Sequence, residues 1–338
     1  LNPEISVNAD AFGFVDVDDP DANNFSLRAA EISLQASLDP YSRAKFFASH
    51  HSGGGAPEPF EAAHGHGHEG EGGGLAIEEG YVEWVGLPGS VGIKLGKFFQ
   101  RMGTLNRWHE HALAFQSRSL PHIAFVGEGA LAQTGASVHW LIPADIGGTY
   151  ETWFQVTRSS NSALFGESSG PSYLGHLNAF WQLGSAWDLD LGVSALTGDH
   201  VEEDESFRQS LYNVEGALTW RPPGRSLYRE LTLRGGAMYL DPDVEPGADH
   251  GEFDDSAWGG WGWLNFKFAR QWHVGGRFEW TQNPADATEE AWLAGPTLTW
   301  WQSEWVRLRA EYDYLQREGS EVMNQLLVQV TFAMGPHK

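Results

Sequence analysis

Cysteine is absent from the 338 residues, so neither a disulfide framework nor a thiolate metal centre is available. No run of about 18 apolar residues occurs, which excludes a bundle of membrane-spanning helices. Basic residues are scarce, 21 Lys+Arg against 45 Asp+Glu for a net charge of -24. A nucleic-acid backbone would be repelled by that balance, so no nucleic-acid partner is expected. Helical periodicity is sparse. None of these shortages excludes a membrane β-barrel, whose strands hide an apolar face in every second residue and average to neutral hydropathy. The hydrophobic fraction of 41% and mean hydropathy of -0.37 fit that pattern. Leu1-Asn2-Pro3-Glu4 does not read as a signal peptide, and the chain is taken as mature.

What the chain has is alternation. Trp187, Leu189, Leu191, Val193 and Ala195 alternate with Asp188, Asp190, Gly192 and Ser194; Leu326, Val328, Val330, Phe332 and Met334 alternate with Gln325, Gln329 and Thr331. Reading the whole chain at period 2 gives sixteen strand segments: 3–14, 25–38, 41–50, 75–86, 91–98, 132–142, 148–158, 173–183, 187–197, 207–221, 227–240, 256–268, 271–282, 289–301, 304–316 and 322–334. The connections alternate between short turns, such as Asp39-Pro40, Gly184-Ser185-Ala186 and Gln302-Ser303, and long loops at 15–24, 51–74, 99–131, 159–172, 198–206 and 241–255. An even strand count with short turns at one end is the plan of a transmembrane antiparallel β-barrel, here one domain over 1–338 with long extracellular loops. Trp84, Trp140, Trp181, Trp187, Trp220, Trp272, Trp300, Trp301 and Trp305 fall near short turns, and Trp153, Trp258, Trp261, Trp280 and Trp292 nearer the long loops. Two such bands match the aromatic girdles of a barrel in a bacterial outer membrane and argue against a soluble sandwich or propeller.

The acids are concentrated. Loops 15–24, 50–74, 198–206, 241–255 and 282–290 hold no Lys or Arg and together carry -23 of the -24. Carboxylates gathered at one mouth would attract Ca²⁺ or Mg²⁺ over roughly 8 Å at physiological salt, or sit as solvated loops bridged by such ions to anionic outer-leaflet lipid. Loop 50–74 also carries His50, His51, His64, His66, His68 and Glu69 among glycines. Imidazoles spaced by Gly can close on Zn²⁺, Cu²⁺ or Ni²⁺, so metal capture at this mouth is expected, with no cofactor required.

The same alternation turns Lys94, Arg234, His273, Arg277, Arg307 and Arg309 to the lumen wall, along with Arg43, Lys45, Lys267, Glu279, Glu311 and Asp313. Mixed charge without apolar filling implies a water-filled interior, which sixteen strands are wide enough to enclose. Loop 99–131 is too apolar for water, with Leu113, Phe115, Ile123, Phe125 and Val126, and is expected to fold into the lumen as a constriction. Its pore-facing candidates are Arg101, Arg107, His109, Glu110, His111 and Arg118. His109 and His111 are read as structural hydrogen-bonding groups rather than ligands, because i, i+2 histidines need a strand or tight turn to converge.

The run Gly92-Ile93-Lys94-Leu95-Gly96-Lys97-Phe98-Phe99-Gln100-Arg101-Met102-Gly103-Thr104-Leu105-Asn106-Arg107 resembles the strand-then-constriction-loop motif of the phosphate-selective porin O/P type and its bacterial relatives. The opening Phe25-Ser26-Leu27-Arg28-Ala29-Ala30-Glu31 with Leu38-Asp39-Pro40-Tyr41, and the ending Leu327-Val328-Gln329-Val330-Thr331-Phe332, fit the same resemblance. It implies a sixteen-stranded channel with an infolded third loop. That family's phosphate selectivity rests on a ladder of Arg and Lys near the constriction, of which only scattered members are matched here.

The expected function is therefore passive diffusion of small ions or solutes across the outer membrane, as a non-enzymatic porin and a candidate homotrimer. The competing readings are a lumen hydrolase, for which His176, Ser194 and Asp190 are the inward-facing candidates on neighbouring segments, and a structural or adhesive barrel.

Overall fold

The computed structural model describes residues 3–17, 24–51, 57–60, 75–202, 205–244, 256–319 and 322–335. They form sixteen antiparallel strands: β1 (Glu4–Asp16), β2 (Asn24–Ser37), β3 (Ser42–His51), β4 (Ala76–Leu87), β5 (Val91–Phe99), β6 (Ala132–Ile142), β7 (Thr149–Arg158), β8 (Pro171–Gln182), β9 (Trp187–Glu202), β10 (Glu205–Trp220), β11 (Glu230–Asp243), β12 (Ala257–Lys267), β13 (Trp272–Gln282), β14 (Glu290–Trp301), β15 (Val306–Arg317) and β16 (Met323–Met334). Each strand pairs with its neighbours in the chain, and β1 pairs with β16 from Val7 opposite Met334 to Asp16 opposite Gln325, closing the barrel. The fold is that of a transmembrane β-barrel, as the alternation foretells. No helix of the described residues is long and apolar enough to cross a membrane, which says nothing about strands.

Alternation sets the two faces. In β15, Arg307, Arg309, Glu311 and Asp313 are buried while Tyr312 is exposed. Outward residues such as Phe154, Val214, Leu233 and Phe278 are each more than half exposed. An apolar band facing outward and a charged wall facing inward invert a soluble fold. Ring pairs border the band. Trp187 and Trp220 lie 6.4 Å apart and Trp272 and Trp300 6.0 Å apart at the short-turn end; Tyr239 and Trp258 at 4.4 Å and Trp292 and Tyr314 at 5.2 Å mark the other.

Four expectations need correction. Residues 198–206 are mostly strand: β9 and β10 run on as a hairpin in which Arg208 is paired with Asp199 at 3.3 Å. The turn before β11 is longer than expected, because that strand begins at Glu230 rather than near 227. Trp153 and Trp261 are not girdle residues. Both are buried on the inner face, Trp153 with Arg101 3.9 Å from its ring and Trp261 packed with Phe115.

The fourth concerns the interior, which has an apolar filling. Leu174, Leu196, Leu211, Met238, Leu240 and Ala257 point inward from β8 to β12 and pack against Met102, Phe125, Val126 and Leu131 of the long segment after β5. They also meet Leu164 and Phe165 of a short helix, α2 (Ser162–Phe165). Each such side chain contributes about 1.5–3 kcal/mol relative to exposure, so the cluster holds the segment inside the barrel.

Candidate functional site

Residues 99–131 leave the wall after β5 and cross the lumen. They include 3-10 turns at Leu105–Arg107 and Glu110–Ala112 and the helix α1 (Leu120–Val126), whose second residue is Pro121. The start and end of the segment are tied together by Asn106, whose Nδ2 donates to Gln100 O at 2.7 Å and Leu131 O at 3.1 Å while its Oδ1 accepts from Leu131 N at 2.7 Å. Arg118 closes the middle, donating to Leu105 O at 3.0 Å and Trp108 O at 2.8 Å.

The wall answers with side chains from seven strands. Gln155 of β7 accepts from Arg101 N at 3.0 Å, Ser194 of β9 from Gly103 N at 3.1 Å, and Glu215 of β10 from Thr104 N at 2.6 Å. Glu279 of β13 accepts from Leu120 N at 2.8 Å and Glu311 of β15 from Gln116 N at 3.0 Å. Arg307 and Arg309 of β15 donate to His111 O and Leu113 O, both at 2.6 Å, and Arg28 of β2 donates to Gln116 O. His109 meets Glu31 of β2 and Glu78 and Glu79 of β4. Most of these partners are charged, as carbonyls and amides leaving water inside a barrel require. The crossing also dictates two glycines. Gly103 has φ +76°, in the left-handed region, and a Cβ there would stand 2.7 Å from Asn213 Nδ2 and 2.8 Å from Glu215 Oε2. A Cβ on Gly259 would meet Pro121 at 2.6 Å, so α1 lies directly on the backbone of β12.

Several expected pore-lining groups are therefore engaged in holding the segment. Arg118 is buried among the carbonyls of its own loop rather than facing the pore. Arg277, Arg307 and Arg309 are buried too; Arg277 pairs with Asp313 at 2.7 Å, Glu311 at 2.9 Å and Glu279 at 3.5 Å. His273 sits toward the short-turn end against Asn265 at 3.1 Å. The expectation treated every inward charge as facing water; burial under a segment that needs charged partners is the physical reason it fails.

What stays accessible is a mixed-charge group on the short-turn side. Arg107 is exposed and Arg101 partly so. Around them lie the half-buried cations Lys45 and Lys94 and the half-buried carboxylates of Glu151 and Asp190, with the carboxylates of Glu79, Glu83 and Glu215 buried behind. Lys94 stands 4.1 Å over the Tyr81 ring, and Arg234 lies 5.6 Å from Trp108 and 5.9 Å from Trp263. Arg43 is paired with Glu83 at 2.7 Å.

Glu31, Glu78 and Glu79, which the sequence did not single out, gather around His109, Glu78 by way of an irregularity in the sheet. Between β3 and β4 the register steps from Phe47 opposite Glu79 to Ala48 opposite Ile77, leaving Glu78 as an extra residue. A bulge re-aims side chains that alternation would send to opposite faces, so consecutive Glu78 and Glu79 both reach one imidazole. Between β1 and β2 the step from Asp10 opposite Ala29 to Ala11 opposite Leu27 likewise leaves Arg28 as the extra residue, turned inward onto Asp10. Burial alone would lower the His109 pKa; its hydrogen bonds to the three carboxylates reverse this and raise it to about 11. His122 is the opposite case, held near 3 by burial and by the Arg118 guanidinium, its Nε2 donating to Gly129 O at 2.9 Å.

The hydrolase candidates meet only in part. His176 Nδ1 is 2.7 Å from Ser194 Oγ, but that hydroxyl also donates to Arg101 O and accepts from Gly103 N. Asp190 stands opposite Phe180, four residues from Ser194 along β9, and among the described residues no carboxylate is hydrogen-bonded to His176. Of the outer metal candidates, His50 and His51 belong to β3 rather than to a loop. His64, His66, His68 and Glu69 lie outside the described residues, as do most of the loop acids.

No family model matches the chain. An uncharacterised protein of Aquifex aeolicus is 23% identical over 360 aligned positions, covering 93% of this chain and 69% of the relative. Among solved structures, OprB of Pseudomonas putida superposes with a TM-score of 0.68 at 13% identity, covering 98% of this chain and 94% of that one. An anion-selective porin from Comamonas acidovorans gives 0.64 at 11% identity, over 98% of this chain and 99% of that one. At such identities the likeness is one of fold, and the fold this chain shares is that of outer-membrane porins.

Proposed function

We propose that the protein is a bacterial outer-membrane channel for small ions or solutes, narrowed by the segment 99–131, with Arg101 and Arg107 facing the solute path. The observation that carries this reading is a segment anchored to seven strands of a closed barrel, with a mixed-charge surface left accessible beside it. Five acids and four bases around that surface nearly cancel, which suits small ions better than the ladder of cations expected for phosphate. The test is conductance of refolded, heat-modifiable protein in planar bilayers. Discrete conductance steps, larger after deletion of 101–121, support the reading; no steps at any salt concentration would sink it, and unchanged steps after the deletion would place the solute path elsewhere.

Homotrimeric assembly and contact with anionic lipid are part of the same proposal. What supports assembly is a groove of about 650 Å³ on the outer wall where Gly262, Gly276, Ala294 and Pro296 leave β12 to β14 thin enough for close approach by another copy. Native mass spectrometry in detergent decides between one and three copies. Zn²⁺ capture by the outer histidines also remains a proposal, to be tested by calorimetry on a protein with His64, His66 and His68 replaced by Ala.

A further inference from the structure

Where the segment 99–131 meets β2 and β4, three carboxylates crowd the one ring of His109. His109 Nδ1 lies 2.8 Å from Glu31 Oε2 and 2.9 Å from Glu78 Oε2, and its Nε2 lies 3.5 Å from Glu79 Oε2. His111 Nδ1 is 3.8 Å from the same Glu31 oxygen. An imidazole nitrogen carries one proton at most, so a single N–H stands between two carboxylate oxygens and cannot point at both. One donor atom each from Glu31, Glu78 and His109 lie within 4.8 Å of one another, a spacing that one ion can span.

A second observation comes from the neighbouring space. A cavity of about 10 Å³ is bounded by Asn8, Asp10, Glu31, Ser49, Glu78, Glu110 and His111. Two of its bounding residues bring oxygens without a hydrogen-bond partner among the described residues: Asn8 Oδ1, on a residue 1% exposed, and Ser49 Oγ, on a residue 0% exposed. Buried polar atoms without a partner are the kind that a bound water or ion satisfies, and the volume admits one of either. The nearby guanidinium of Arg28 does not fill the role. It is committed to Asp10 and Gln116 O and stays 4.0 Å from Glu110.

We propose that Glu31, Glu78 and His109 bind one first-row divalent cation, of the Zn²⁺ or Mn²⁺ kind, at the edge of this cavity, which Glu31 and Glu78 share with Asn8 and Ser49. The donor set selects the ion. Carboxylate oxygen with imidazole suits borderline ions; the lack of sulfur disfavours Cu⁺, and imidazole disfavours Ca²⁺ and Mg²⁺. The bulge at Glu78 is what makes the set available, since a regular β4 would present Glu79 alone. Bound there, the ion would bridge the crossing segment to two wall strands, in place of a shared proton. The site is separate from the outer histidines, and it does not depend on the channel reading.

The test is titration calorimetry with Zn²⁺ and with Mn²⁺ on the full refolded chain in detergent, in a background with His64, His66 and His68 replaced by Ala. One equivalent should bind, and His109→Ala should weaken it at least tenfold, the scale seen when a metal's surroundings are disturbed. Should His109→Ala fail the heat-modifiability check for folding, the near-isosteric Glu78→Gln decides with the same expected loss. Anomalous diffraction from a Zn²⁺-soaked crystal should place the ion between Glu31, Glu78 and His109. The absence of binding by either ion up to about 1 mM, a weak limit on the affinity scale, overturns the proposal. So does an affinity unchanged by the substitutions, or an anomalous peak found only elsewhere.

Discussion

The backbone N–H of Leu120, the first residue of α1, donates to the Glu279 carboxylate of β13 at 2.8 Å, on the wall against which the helix lies and 159 residues further along the chain. A helix start needs acceptors for its free amides, and here the barrel wall provides one. Glu279→Ala should loosen α1 by about 1–3 kcal/mol, the cost of leaving buried partners unmatched. Amide exchange across residues 120–126 should then quicken roughly fivefold or more, and the open-channel current should become noisier. Unaltered exchange would mean that the apolar contacts of α1 suffice.

Gly103→Ala places a side chain at φ +76° and into the 2.7 Å gap before Asn213. Left-handed backbone costs a non-glycine residue about 1 kcal/mol, and the clash must push Glu215 away from Thr104. The expected result is a lower midpoint in heat-modifiability gels together with a larger conductance. A variant that matches the parent in both would show that the segment is not held through Glu215.

For His122 the sign follows from its depressed value. The seated ring takes up a proton only near 3, whereas an unseated one does so below about 6.5. Seating is therefore fully stable above about 6.5 and weakens as pH falls from there toward 3, by roughly 2 kcal/mol at pH 5. Exchange protection of α1, corrected for intrinsic rates, should drop between pH 7 and pH 5 in the parent and drop far less in His122→Gln. Equal drops in both proteins would assign the pH response to another group.

Arg107 is the exposed cation of the segment. Reversing it with Arg107→Glu should shift the reversal potential in a salt gradient toward cation preference, by roughly twofold to fivefold in permeability ratio for an interaction of up to about 1 kcal/mol in water. An unmoved reversal potential would take Arg107 out of the ion path.

The strand framework was legible because lipid and lumen impose opposite chemistry on successive residues. All sixteen segments are strands, and 132–142 matches β6 end to end. Past Thr197 the inner face of β9 carries Gly198 and His200 and the outer face Asp199 and Val201, so the faces no longer differ in hydropathy, which is why the extension of β9 and β10 reads as an acidic loop. Trp153 shows a different limit. Its place along the strand suits a girdle; only its parity with Glu151 and Gln155 marks it as an inner residue stacked under Arg101.

The infolding of 99–131 could be read from its apolar content, but its partners could not. Gln116 meets Glu311 from 195 residues away, a contact no local pattern encodes. Glu78 and Glu79 escaped notice for a sharper reason. A period-2 reading assumes unbroken alternation, and one extra residue in β4 overturns it. The adjacent pair Glu78-Glu79, anomalous for a half-lipid strand, was the available signal.

Asp10 sits at the seam where the first and last strands meet. It accepts from Gln329 at 2.8 Å and Thr331 at 3.1 Å on β16, and pairs with Arg28, which in turn holds Gln116 O. The crossing segment is thus moored to both ends of the chain at one place. Until the final strand arrives, Asp10 lacks its Gln329 and Thr331 partners, and the apolar cluster around Leu120 lacks Met323. Sealing the cylinder therefore tightens the hold on its interior, because the same Asp10 that joins the first strand to the last steadies the Arg28 that grips Gln116.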